Sequence, residues 1–235
     1  MNWEPLPKPA EIAESRLIHA ILENIFPAGS FLPAERELAV QLGVTRPTLR
    51  EALQRLGRDG WVEIRQGRPT RVRDYWKEGS LGVLGAVARS PGQLPPDFIP
   101  NLLTVRRLLA PTYTRLAVER SPAEIEELLN NYKTLEENPL VFAEADLELH
   151  RRLTIASGNP VFTLILNGFS DLYKTMAGIY FSIPAARDSS RSFYAGLLAA
   201  AQKKDPDMAE SLTARVMADS QDLWILAARF EENSS

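Results

Sequence analysis

Cysteine is missing from all 235 residues. No disulfide can brace this fold and no thiolate can hold a metal, which fits a reducing cytoplasm. Long apolar runs are missing too. No stretch reaches the ~18 uninterrupted apolar residues of a membrane span, so no membrane partner is expected. The opening residues, MNWEPLPKPAEIAES, have neither the basic start nor the apolar centre of a secretion signal. Histidine is scarce, with His19 and His150 the two in the chain. There is no glycine-rich phosphate loop and no serine in a nucleophile elbow. No catalytic residue, metal or cofactor is assigned on these grounds, and an all-α enzyme is the remote alternative. The whole chain also lacks a strong excess of charge, with a net −3 and a pI near 5.6.

The charge that is present is unevenly spread. From Arg36 to Lys77 ten basic side chains stand against five acidic ones. Residues 1–77 carry 12 basic and 10 acidic groups, whereas residues 78–235 carry 15 and 20. A duplex presents one negative charge per ~1.7 Å of axis, so a local basic surface matters more than the whole-chain pI. The division suggests a basic reader, residues 1–77, joined to a more acidic sensor or dimer-supporting unit, residues 78–235.

The reader's pattern is specific. Ala13, Leu17, Ile21 and Ile25 recur every four residues and predict a first helix over about Pro9–Asn24. A second begins near Pro33 and runs to Leu42, and Gly43 supplies the turn. Thr45 is a good N-cap for a third, with Pro47 in its first turn. Leu49, Leu53 and Leu56 face one side, which leaves Arg46, Thr48 and Arg50 near the exposed N-terminal end. Asp59-Gly60 stops that helix. Trp61–Ile64 and Thr70–Val72 then read as strands about a turn at Gln66-Gly67. Three helices and a basic-tipped hairpin make a winged helix-turn-helix, whose third helix suits a major groove. One such head covers a half-site, so a homodimer reading a pseudo-palindrome is expected.

The remainder predicts an all-α antiparallel bundle. Residues 74–80 read as a linker and Leu81–Arg89 as a short helix. Residues 90–100, with Pro91, Pro95, Pro96 and Pro100, cannot form one continuous element. Helical patterns follow at about 101–119, 122–137, 140–157, 160–182, 187–203 and 206–231. The 160–182 pattern is apolar around most of its circumference, which predicts a central helix.

Four stretches carry a resemblance. LPAERELAVQLGVTRPTLREALQRLGRDGW resembles the reading head of the GntR family of bacterial transcription factors. FAEADLELHRRLTIASGNPVFTLILNGFSDLYKTMAGIYFSIPAAR, NLLTVRRLL and the Ser220–Trp224 segment resemble the sensor domain of that family's FadR group, regulators of fatty-acid metabolism. The resemblance implies double-stranded operator DNA as partner and long-chain acyl-CoA as effector, with its tail inside the bundle. Positions matching the family's DNA contacts are Arg36, Thr45, Arg46, Thr48, Arg50, Gln66, Gly67 and Arg68. Pro47 stands where the family has threonine, and Gln66 where it has histidine. Ligand-side positions are Arg106, Met217, Ser220, Trp224 and Arg229. Met217 replaces a glycine close to the ligand, a change expected to narrow or reshape the site. Asp219 replaces a glutamate, and Arg229 a lysine.

Many relatives with this kind of domain hold a metal through an Asp and three His. Asp146 and His150 lie at i and i+4, but the missing ligands fall near Tyr194 and Val216. Two ligands make a poor zinc site, so a helix-surface ion pair or a buried hydrogen bond is expected instead. The alternative within the same class is a regulator sensing a smaller carboxylate, metal-assisted or not.

Overall fold

A computed structural model describes residues 8–88 and 94–232. By its contacts the chain divides into two compact units, the first ending at Leu94 and the second beginning at Pro95.

In the first unit, α1 (Pro9–Leu22) starts with the Lys8 backbone N–H donating to Glu11 Oε2 at 3.0 Å. It ends two residues earlier than the periodicity suggests. Asn24 turns into the left-handed region at φ 61°, and Ile25 is left exposed rather than extending the apolar face. Helix α2 (Glu35–Leu42) begins after Pro33 and stops at Gly43, whose φ of 64° suits glycine. Helix α3 (Arg46–Asp59) is capped by Thr45 and buries Leu49, Ala52, Leu53 and Leu56. Strands β1 (Val62–Glu63) and β2 (Arg71–Val72) pair antiparallel, Val62 opposite Val72 and Glu63 opposite Arg71. They are shorter than predicted, but β2 gains a neighbour that the alternation missed. Phe31 bridges Arg71, and Leu32 N–H donates to Thr70 O at 2.8 Å.

The stretch read as a linker is partly helical. It holds α4 (Tyr75–Glu78) and runs into α5 (Leu81–Ala88). Trp61, fully buried, packs on Tyr75 with ring centroids 4.8 Å apart, and Ser80 Oγ donates to Asp59 O at 2.8 Å. These contacts fold 75–88 onto the head, so the compact unit extends past Lys77.

The second unit is a bundle of seven helices among the described residues: α6 (Phe98–Arg120), α7 (Pro122–Asn131), α8 (Pro139–Ala156), α9 (Pro160–Gly168), α10 (Ser170–Tyr180), α11 (Pro184–Lys203) and α12 (Pro206–Glu232). Five of them open on proline, whose fixed φ and missing N–H suit a first turn. Pro100 is likewise absorbed into the first turn of α6, which starts earlier than predicted. Tyr132–Thr134 tightens into a 3₁₀ turn after α7.

One expectation is overturned. The 160–182 segment is not one central helix. It breaks at Phe169, whose N–H closes back on Leu166 O, and its first half has no fully buried side chain. Val161 and Leu164 are 55% and 66% exposed. The core is instead built from α6, α7, α8, α11 and α12, with the end of α10: Phe142, Leu149, Leu153, Phe181, Leu197 and Met217 belong to it. An all-round apolar pattern was read as burial, whereas here one side faces a cavity and the other faces outward.

Candidate functional site

The reading head presents its matched residues on exposed ground. Thr45 Oγ1 caps α3, accepting from Thr48 N–H at 3.4 Å and lying 2.8 Å from Thr48 Oγ1. This fixes the first turn, where Arg46 is exposed. Arg50 Nε donates to Glu35 Oε2 at 2.7 Å, which ties α3 to α2 across their exposed faces. At the hairpin tip Arg68 N–H closes a turn onto Arg65 O at 3.2 Å, and Gly67 has φ 71°. Nothing stands within 4 Å of the Cβ that a larger residue would carry there, so Gly67 serves the turn's backbone rather than avoiding a clash.

The ten basic groups are not equivalent. Arg65 and Arg71 share Glu63, Arg55 is held by Glu51 and Glu14, and Lys77 by Asp74. The two arginines hold the Glu63 carboxyl below its usual pKa, against a smaller effect of burial. Among the described residues, Arg36, Arg46 and Arg68 have no such partner and remain open to an external anion. They come from α2, the start of α3 and the wing, so each protruding part of the head carries an available cation.

The bundle holds a cavity between α6, α9, α10 and α12, with about 110 Å³ of solvent-accessible space, several times the roughly 10–15 Å³ that one water needs. Its walls are mostly apolar: Leu102, Leu103 and Leu109 from α6, Phe162, Ile165 and Leu166 from α9, Leu172 and Met176 from α10. Ser220 and Trp224 of α12 and Arg106 of α6 also line it. Met217 and Arg229 do not stand on that wall. Met217 is buried in the core, its carbonyl accepting from Ser220 Oγ at 2.9 Å, and Arg229 is exposed near the end of α12.

Arg106 does not present itself as an open cation. Its Nη2 lies 3.0 Å from Asp146 Oδ2, 2.7 Å from His150 Nε2 and 2.9 Å from the Tyr173 hydroxyl. Tyr173 and Tyr194 both donate to the Asp146 carboxylate. Because a guanidinium can only donate, His150 Nε2 must accept; the ring proton is then on Nδ1, which donates to the Tyr113 hydroxyl at 2.7 Å. His150 is fully buried, and burial with the adjacent Arg106 charge brings its pKa down to about 3. The imidazole is therefore neutral at physiological pH. Burial pushes the Asp146 carboxyl up, but its charged and hydrogen-bonding neighbours, Arg106 and the two phenols among them, outweigh it and leave it below its usual value.

Asp146 and His150 are buried and each hydrogen-bonds to the Arg106 guanidinium, not to the other: their nearest approach is 3.8 Å. Among the described residues no group of three or more acidic, His or Cys side chains could hold a metal. The sequence reading missed Tyr113, Tyr173 and Tyr180 and named Tyr194 only as a position that lacks a metal ligand, though its hydroxyl meets Asp146. Tyr173 and Tyr180 are spaced i, i+7 on one face of α10, the one signal that pointed to them.

Comparison with known proteins places both units. The pattern described as "Bacterial regulatory proteins, gntR family" matches residues 9–72, and that described as "FadR C-terminal domain" matches residues 73–232. The chain belongs to the GntR family, with a FadR C-terminal domain. A Yersinia pestis (strain Pestoides F) protein named fatty acid metabolism regulator protein is 45% identical over 186 residues, covering 79% of this chain and 78% of its own. A protein of the same name from Yersinia pseudotuberculosis serotype O:1b (strain IP 31758) matches to the same extent. A solved structure described as Lar, which controls the expression of the Listeria monocytogenes agr system, is 15% identical with a TM-score of 0.61. The match covers 96% of this chain and 99% of that one and extends the likeness to the fold. The two family patterns and the fatty acid metabolism regulator relatives make this GntR-family member a transcription regulator. No described helix is long and apolar enough to cross a membrane.

Proposed function

We propose that this protein is a cytoplasmic, homodimeric regulator of fatty-acid metabolism genes, whose hold on a pseudo-palindromic operator is modulated by long-chain acyl-CoA in the C-terminal bundle. The observation that carries the reading is the cavity. This bundle, which matches the FadR C-terminal pattern, contains a mostly apolar chamber between α6, α9, α10 and α12. A hydrocarbon chain is the ligand that such a wall rewards, at ~25 cal/mol per Å² of apolar surface removed from water. The relatives named fatty acid metabolism regulator protein support the same class of effector.

On the DNA side, Arg36, Arg46 and Arg50 reach toward the major groove, with Thr45 and Thr48 on flanking phosphates. Gln66, Gly67 and Arg68 follow the adjacent minor groove. Arg50 keeps its Nη groups for DNA while its Nε remains with Glu35. Arg106, Ser220 and Trp224 meet the acyl part of the effector. Arg229, exposed on α12, lies where a phosphate-bearing head is met in solvent. Met217 acts on the site from the core behind Ser220.

The test begins with a duplex selected from a random library on the immobilised protein. A bidentate arginine–guanine contact is worth ~1–3 kcal/mol of discrimination. Arg46→Ala is expected to lose at least tenfold in affinity for the selected duplex while remaining folded by circular dichroism. Equal affinity of variant and parent in a gel-shift titration would remove Arg46 from the readout.

A further inference from the structure

Four hydroxyl groups line the cavity, and three are already engaged. Tyr173 donates to Asp146, Ser220 donates to the Met217 carbonyl, and Tyr113 is engaged as an acceptor, its oxygen 2.7 Å from His150 Nδ1. The fourth, on Tyr180, has no hydrogen-bond partner among the described residues. Its ring is fixed edge-on against Phe181, with centroids 4.9 Å apart, so the hydroxyl is placed by packing rather than by a polar contact. Burial raises its pKa above the ordinary tyrosine value, so it keeps its proton and stands ready as a donor. A donor left inside an apolar chamber costs free energy unless something arrives to accept from it. A purely hydrocarbon ligand would leave it unpaired.

We propose that Tyr180 is a specificity-determining residue: its hydroxyl donates to the carbonyl oxygen of the acyl group, so the cavity selects an oxygen-bearing chain over a bare alkyl chain of equal length. This rests on the acyl-CoA reading above and adds to it a named contact on α10. A site built to hydrogen-bond one oxygen discriminates against the analogue lacking it, because the site's own donor is then left buried and unpaired.

The experiment compares hexadecanoyl-CoA with S-hexadecyl-CoA, its thioether analogue without the carbonyl oxygen, by isothermal titration on the full chain and on Tyr180→Phe. The substitution keeps the ring and its Phe181 contact, and a thermal melt verifies the fold. The parent is expected to favour the thioester by about 3- to 10-fold, the range of one neutral hydrogen bond. In Tyr180→Phe that ratio should fall toward one. Two tight-binding ligands with the same ratio in parent and variant would overturn the role of Tyr180 and leave acyl-CoA sensing intact. If the parent binds neither molecule, the acyl-CoA reading fails and the role of Tyr180 falls with it.

Discussion

The Arg106–Asp146 pair shows how much one residue can rest on another. Asp146 is buried and Arg106 partly so, beside a neutral histidine, and removing Arg106 strands the carboxylate, at a cost of up to about 3–5 kcal/mol. His150 adds a dependence on pH. Its folded pKa of about 3 lies below the ordinary 6.5, so between these values the unfolded chain binds a proton that the folded chain refuses. Stability should therefore fall as pH is lowered from about 6.5 toward 3, and each unit of pKa difference corresponds to about 1.4 kcal/mol at most. Urea midpoints measured from pH 7 to pH 4.5 should drop in the parent and drop less in His150→Gln. Parallel curves would mean that His150 is not refusing the proton.

Met217 looked from the sequence like a residue that narrows the ligand site. Its place in the core gives a different expectation. Met217→Gly removes a buried side chain and adds a helix-interior glycine, which together should cost about 3–5 kcal/mol in chemical denaturation. A variant as stable as the parent would show that Met217 does not pack as described. The substitution pattern alone could not separate these cases. A glycine-to-methionine change says that space was available, but not whether it opens to the ligand or to the core.

At the scale of elements, the reading head was the more legible half. Its helix starts and stops are set by local chemistry: Thr45 as cap, Gly43 and Gly60 at left-handed φ, alternation into the wing. The pairing of Ser30–Leu32 with β2 was not legible, since it joins residues forty positions apart with no alternating pattern to announce it. Helices α9 and α10 were misread for another reason. Periodicity reports which faces are apolar, and a cavity wall looks the same as a core wall. The tyrosines around Asp146 were hidden for the same cause, because convergence from α6, α8, α10 and α11 has no local spacing.

The wing makes its own prediction. Arg68 sits at the tip of the hairpin with no acidic partner among the described residues, unlike Arg65 and Arg71 lower down. Arg68→Ala should weaken binding to all duplexes alike and lower the slope of log affinity against log salt by about one contact. An unchanged slope would mean that the wing stays clear of the backbone.

At the scale of the whole molecule, the proposed function requires that effector binding and operator binding share one equilibrium. If acyl-CoA favours the off-DNA state, linkage requires that operator DNA weaken acyl-CoA binding by the same factor. Moving occupancy from almost all bound to almost all free needs a differential affinity of about 10⁴, some 5.5 kcal/mol. The library-selected duplex, labelled with a fluorophore, would be held at half-saturation with the protein while hexadecanoyl-CoA is titrated in and anisotropy is followed. The account predicts release of the duplex by hexadecanoyl-CoA and no release by free CoA at the same concentration. Anisotropy that stays constant at saturating hexadecanoyl-CoA, with binding of the ligand verified calorimetrically, would contradict it.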